Sequence, residues 1–301
     1  ACRSAGKTIG WFPLTAYSNG LGSQLIQGNY ESGLTYGEII KAADAGRIKA
    51  LIVVEEDPLT ALPDTSFVRE ALQKLDFLMV VDLFETETGK LAHLLVPSCS
   101  FMEKSGTFVN MEGRTRQVSQ VLNPMGEARS VGRIFRDIAD KMKLDANLEP
   151  GEIEKRVSGL LEEKGKGTAQ EGFFSVSYQA MRMEENGHLF LIPVDIHYNH
   201  HYGTDEIFAT SIEKLDKEPE FLVNPKDAAR MGLEEGGEVT LQTDAGTLPV
   251  TPIFSGDVKE GHLIVKGHYH KTGVQALFPF ELDKETKTPV TGFARVKLQK
   301  P

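Results

Sequence analysis

Cysteine is scarce in this sequence: only Cys2 and Cys99 occur in 301 residues. Two thiols cannot build a four-cysteine zinc or iron–sulfur site. With no clustered spacing, they fit a reduced protein of the cytoplasm. Cys99, in Pro-Ser-Cys-Ser, reads as a small buried residue rather than a reactive thiol. No apolar run approaches the roughly eighteen residues that a membrane-spanning helix needs, so no direct membrane insertion is expected. Positive charge is also in short supply, with 33 Lys and Arg against 43 Asp and Glu and a net charge of −10. That balance lacks the clustered cations that phosphate backbones require, which excludes nucleic acid as a partner. No secretory signal pattern is visible. Ala1 runs without an initiator methionine into Thr8-Ile-Gly-Trp-Phe-Pro-Leu14, which reads as a strand already inside a fold. A piece of a longer protein is the expectation.

Hydrophobic residues make up 40% of the chain and charged residues 25%, a globular composition, and the length suffices for two domains. Residues 35–145 alternate strand and helix signals. Thr35 caps a predicted helix to Ala45, with Gly46 as its stop. Lys49 to Val54 is a continuous apolar run, the mark of a strand buried on both faces. Asp64 caps a helix through Leu75, and Asp76 to Val81 is a second buried strand. A short helix from Phe84 to Ala92 and a strand at Leu94–Val96 follow. Arg129 to Met142 is amphipathic, with Ile134, Phe135, Ile138 and Met142 at helical spacing. This order predicts a doubly wound, mostly parallel sheet with helices. A charged helix, Glu152 to Glu163, leads to a Lys/Gly stretch at 164–168 that reads as a linker. Residues 185–301 have short strands and frequent turns. There Asn224-Pro225 opens a short helix that ends at Gly232, and strands 238–242 and 247–251 form a hairpin. The expected division is an α/β domain over 1–160, a linker over 161–184 and a β-barrel over 185–301.

Two long phrases carry a resemblance. Glu103-Lys-Ser-Gly-Thr-Phe-Val-Asn-Met-Glu-Gly-Arg114 and Asn224-Pro-Lys-Asp-Ala-Ala-Arg-Met-Gly-Leu are joined by Val80 to Pro97, with its Asp-Leu-Phe-Glu-Thr-Glu-Thr core. Together they resemble the C-terminal part of the molybdopterin oxidoreductase (dimethyl sulfoxide reductase) family. The similarity is strongest over 47–140 and 220–301. The resemblance implies a double-psi-type, dinucleotide-binding-like barrel after the α/β domain. It implies a molybdopterin guanine dinucleotide, with a vacant cleft as the alternative. Iron–sulfur clusters would lie only upstream of Ala1, and the partners would be other subunits of a redox complex. Such a complex would place the chain in the cytoplasm or at the inner face of the membrane.

Within the family the chain looks similar to the large G-type subunit of NADH:quinone oxidoreductase, an electron-transfer scaffold. The alternatives are an active molybdenum or tungsten enzyme such as a formate dehydrogenase, and a non-catalytic binding module. Thr15 stands where formate dehydrogenases of the family carry an Arg, and a neutral hydroxyl cannot clamp a formate carboxylate through a bidentate charged pair.

The candidate cofactor-binding residues follow the loops. Glu56 and Asp57 come directly after the first buried strand, where ligands of doubly wound sheets lie, and an ordinary capped turn is the competing reading. Glu55 occupies a position where the family usually has Gly. Asp82 ends the next strand and suits ribose or base N–H groups, or the cap of a helix. Thr86 and Thr88 are phosphate or pterin donors, or local backbone bonders. Lys104, Gly106 and Thr107 belong to the loop that the resemblance puts near the cofactor, and a structural polar cluster with turns at Gly106 and Gly113 is the alternative. His201, Thr204 and Thr210 lie in a loop that approaches the pterin in the family. Gln275 stands where the family usually has an Asn that contacts guanine or pterin. His197, His200 and His201, with His268 and His270, have the residue type of a metal set but no Cys or carboxylate at ligand spacing beside them, so no metal ligand and no catalytic residue is expected here.

Overall fold

The computed structural model describes residues 19–27, 33–110, 112–144, 155–160, 162, 188–194, 219–267, 272–290 and 294–299. By contacts the chain forms two compact units, Ala1–Gly33 with Pro97–Val176, and Leu34–Val96 with Ser177–Pro301.

The larger unit begins with a reciprocal cap. The Thr35 hydroxyl accepts from the Glu38 N–H, and the Glu38 carboxylate accepts from the Thr35 N–H at 3.0 Å. This starts helix α2 (Tyr36–Asp44), which ends with Gly46 at φ +69°. Helix α1 (Gly20–Gln27) precedes it, in the smaller unit. Strand β1 (Ala50–Val54) pairs in parallel with β2 (Phe77–Asp82), and β3 (Leu94–Pro97) completes a sheet of order β1-β2-β3. Between β1 and β2 lie α3 (Pro58–Ala61) and α4 (Thr65–Gln73).

Helices α2 and α4 bury Ile40, Ala43, Val68, Ala71 and Leu72 against Val53, Leu78 and Val80, and Phe280 and Leu282 join that core. Each large apolar side chain so buried contributes about 1.5–3 kcal/mol. The expectation that β1 is buried on both faces is corrected. Ile52 is 42% exposed while its neighbour Val53 is 7% exposed: among the described residues β1 lies at the edge of the sheet, and it is the Val53 face that packs into the core. The expected helix over Phe84–Ala92 is corrected as well: only a 3-10 turn, Gly89–Leu91, forms. Side chains take the backbone donors there, as described below.

The barrel is one seven-stranded sheet of order β10-β7-β11-β6-β12-β8-β9. Its strands are β6 (His188–Val194), β7 (Glu220–Val223), β8 (Val239–Gln242), β9 (Thr247–Val250), β10 (Pro252–Phe254), β11 (His262–Lys266) and β12 (Ala294–Gln299). Parallel pairs, β6 with β11 and β7 with β10, interrupt an otherwise antiparallel sheet. Alternation puts Leu189, Leu191, Leu241, Leu263 and Val296 inside and the intervening residues outside.

One helix, α6 (Pro225–Met231), is inserted where the sequence predicts it. Asn224 caps it through Lys226 N–H, Pro225 takes its first position, and Gly232 ends it at φ +64°. The buried Asp227 accepts from Gly261 N–H at 2.6 Å and pairs with Arg230, while Asn224 donates to the Val258 carbonyl. The Asn-Pro-x-Asp phrase therefore ties α6 to the turn before β11. Its work is structural.

In the smaller unit, β4 (Gly106–Val109) and β5 (Thr115–Val118) form an antiparallel hairpin. Asn110 accepts from the Glu112 and Arg114 N–H groups, and Gly113 turns at φ +78°. Gly106 supplies no turn, being a strand residue of β4. Helix α5 (Val131–Met142) starts at Ser130 and buries Ile134 and Ala139. Met142, expected on its buried face, is 63% exposed.

Candidate functional site

The loops that leave the carboxyl ends of β1 and β2 meet through one buried carboxylate. Asp57 is 5% exposed. It stands at the N-cap position of α3, yet its side chain caps no backbone N–H there. Instead Oδ2 accepts from the Thr60 hydroxyl at 2.7 Å. Oδ1 accepts from the Thr88 N–H at 3.0 Å and from the Thr88 hydroxyl at 2.5 Å. The Thr88 oxygen then accepts from Leu59 N–H at 3.1 Å. A buried anion needs such satisfaction, and here it clamps two loops that are thirty-one residues apart. The capped-turn reading of Asp57 is thus replaced by a cross-loop clamp.

Residues around the clamp are shaped by the same competition for donors. Thr86 is buried and accepts from Gly89 N–H at 3.0 Å. Asp82 accepts from Phe84 N–H at 3.2 Å, and Glu56 accepts from Asp57 N–H at 3.2 Å. Because the Thr88 N–H goes to Asp57, it makes no helical bond, and the chain from 84 to 88 stays irregular.

Glu55 adopts φ +49°, in the left-handed region, and its N–H donates to the Val81 carbonyl at 2.8 Å. This is the conformation glycine favours. The backbone geometry of a glycine turn is kept while the residue is not glycine.

Gln275 lies in the same unit, in a 3-10 turn at Val274–Leu277. It is 3% exposed. Its side-chain amide N–H donates to the Ala61 carbonyl at 3.3 Å, and its backbone carbonyl accepts from Asp64 N–H at 2.8 Å. Gln275 Oε1 is buried with no hydrogen-bond partner among the described residues. An unmet buried acceptor costs about 1–3 kcal/mol. The structure therefore joins Asp57 to Thr88 across the two loops and ties Gln275 to Ala61 and Asp64 in the segment after β1, with Thr60 and Ala61 as participants that sequence reasoning does not find. The spacing Asp57-x-x-Thr60 was the one available signal for them.

Lys104, Gly106 and Thr107 belong to the other unit. Thr107 accepts from the Gln117 side chain at 3.2 Å. Nearby, Glu103 accepts from the Ser100 and Met125 N–H groups, each at 2.9 Å. The bonds from Ser100 hold the Glu103 carboxyl below its ordinary range against the opposing effect of desolvation, with a lesser contribution from Met125. His201, Thr204 and Thr210, and the histidines 197, 200, 268 and 270, lie outside the described residues.

Comparison with known proteins accords with this geometry. The molybdopterin oxidoreductase family model matches residues 1–141, and the molybdopterin dinucleotide binding domain matches residues 189–292. The F420-dependent formate dehydrogenase subunit alpha of Methanocaldococcus jannaschii is 26% identical over 90% of this chain and 46% of its own length. The NADPH-Fe(3+) oxidoreductase subunit alpha of Geobacter sulfurreducens is 27% identical over 91% of this chain and 36% of its own. The chain thus spans less than half the length of these relatives. Acetylene hydratase from Pelobacter acetylenicus superposes with a TM-score of 0.62 at 16% identity, over 87% of this chain and 46% of that one, a likeness of fold. The two family models, matched in order over residues 1–141 and 189–292, place the chain in the molybdopterin oxidoreductase family.

Proposed function

We propose that this chain is the C-terminal part of the large subunit of a molybdopterin oxidoreductase, and that the loops after β1 and β2, together with Gln275, hold the dinucleotide of its cofactor. The observation that carries the reading is the orphaned Oε1 of Gln275, a buried acceptor that a base or pterin N–H would satisfy. The left-handed turn at Glu55 keeps the backbone conformation that a glycine would adopt there. The bound group supplies two-electron redox chemistry at its metal. Gln275 orients the base, and the Asp57–Thr88 clamp fixes the spacing of the loops without touching the ligand itself. The guanine form of the dinucleotide, a molybdenum or tungsten ion, and iron–sulfur clusters in a preceding region belong to this proposal. So do partner subunits, which the alpha-subunit names of the relatives support, and a site of action in the cytoplasm or at the inner face of the membrane. Among the described residues no helix is long and apolar enough to cross a membrane. The order of domains, 1–160, linker 161–184 and 185–301, is supported by the spans of the two family models.

A specific observation favours a second reading, the electron-transfer scaffold of the NADH:quinone type. Glu55 puts a carboxylate at the turn where a phosphate would approach, and like charges repel. Pterin content of the parent protein separates the two readings, and one variant tests the role of Gln275. In the full-length protein, Gln275→Leu is expected to lower the pterin recovered per chain, read by fluorescence after oxidative release. Pterin content unchanged by this substitution would contradict the role given to Gln275, and pterin absent from the parent protein would favour the scaffold.

A further inference from the structure

We propose that the outer face of barrel strands β6, β12 and β8 binds a small dianion, a metabolite carrying two acidic groups, either phosphate or carboxylate. Alternation turns His188 and Phe190 of β6, Arg295 and Lys297 of β12 and Gln242 of β8 away from the barrel core, whose lining includes Leu189, Val296 and Leu241. The register sets Arg295 beside Phe190, and Lys297 between His188 and Gln242. These five side chains line a cavity of about 350 Å³, with Asp244 in the turn after β8.

Two cations two residues apart on one strand stand roughly 7 Å from each other along it, a span that two linked acidic groups bridge. Neither Arg295 nor Lys297 is in an ion pair among the described residues. On a chain of net charge −10 this pairing of unneutralised cations in one concavity stands out. Arg295 is also pre-positioned: its guanidinium lies 5.6 Å from the Phe190 ring centroid, and that ring packs at 6.1 Å from His262. Gln242 accepts from Gln299 through Oε1, which leaves its own amide N–H groups to donate. Asp244 repels any third acidic group and accepts from a ligand hydroxyl, which selects a dianion over a more highly charged species.

The turn that carries Asp244 is held from beneath. Thr243 donates to the Leu277 carbonyl at 2.9 Å, and a Cβ on Gly246 would come within 2.6 Å of the Ala276 carbonyl. None of the residues proposed above for the dinucleotide lines this cavity, so the two sites stand or fall separately.

Titration calorimetry on the full chain at about pH 6, where inorganic pyrophosphate and succinate are both mainly dianions, with acetate as a single-charge control, tests the assignment. At least one dianion is expected to saturate one site per chain while acetate does not, and the one that binds names the source. Arg295→Gln and Lys297→Gln should each weaken binding by about tenfold, the scale of a lost charge-assisted hydrogen bond. Arg295→Lys should retain most of it. Lys226→Gln, which removes an exposed lysine paired with Glu260 on another part of the barrel, should change nothing. Failure of both dianions to saturate overturns the proposal. So does binding that survives both Gln variants, or that falls equally in Lys226→Gln.

Discussion

Replacing Glu55 isolates a backbone effect that the fold makes visible. A non-glycine residue in the left-handed region costs about 1–2 kcal/mol. Glycine removes that cost but loses about 0.5–1 kcal/mol through the greater freedom of its unfolded chain. Glu55→Gly alone removes a carboxylate as well as changing the backbone, so it mixes two effects. Glu55→Ala loses the same carboxylate and keeps the positive φ. The difference between the two variants therefore reports the backbone: Gly should be more stable than Ala by roughly 0.5–1 kcal/mol. Urea unfolding midpoints, compared at equal slope, measure it. A Gly variant equal to or less stable than the Ala variant refutes the reasoning, because the turn would then not need the left-handed backbone. The same pair bears on function, since both remove the charge that opposes a phosphate while only Gly clears the way for close approach.

Asp57→Ala leaves the buried Thr88 N–H and two hydroxyls without their acceptor, and should destabilise by about 3 kcal/mol. Combined with Thr88→Val it should cost clearly less than the sum of the two single changes, which a double-mutant cycle in urea checks. Glu103 gives a pH dependence. Its folded carboxyl titrates below its ordinary value of 4.5 because Ser100 and Met125 N–H groups hold the charged form. The stability it contributes is complete above the unfolded value and is lost as pH falls through the depressed folded value. Thermal melts between about pH 5 and pH 3 should therefore decline less in Glu103→Gln than in the parent chain, and parallel declines would contradict the assignment.

Much of the fold was legible because its signals are local. Thr35 with Glu38, and Asn224-Pro225 with Gly232, bound their helices by bonds made within a few residues. The failures share a different cause. Continuous apolarity from Lys49 to Val54 cannot distinguish a strand covered on both faces from one at the edge of the described sheet, where Ile52 is exposed and Val53 is buried. At Phe84–Ala92 only a 3-10 turn forms, and the Thr88 N–H is taken by Asp57 from far back in the chain, a competitor that local periodicity does not reveal. The same distance limits the site. Asp57 and Thr88 were each singled out, but as ligand contacts; that they satisfy one another is a fact of tertiary structure. A lone Gln275 carries no sequence signal except through resemblance, and only the fold shows its Oε1 buried and unmet.

Metal and pterin analysis of the full-length protein tests the central claim most directly. The cofactor reading predicts molybdenum or tungsten together with pterin, both in stoichiometric amount with the chain. A folded full-length protein that carries neither contradicts it, and leaves the loops after β1 and β2 as the frame of a scaffold.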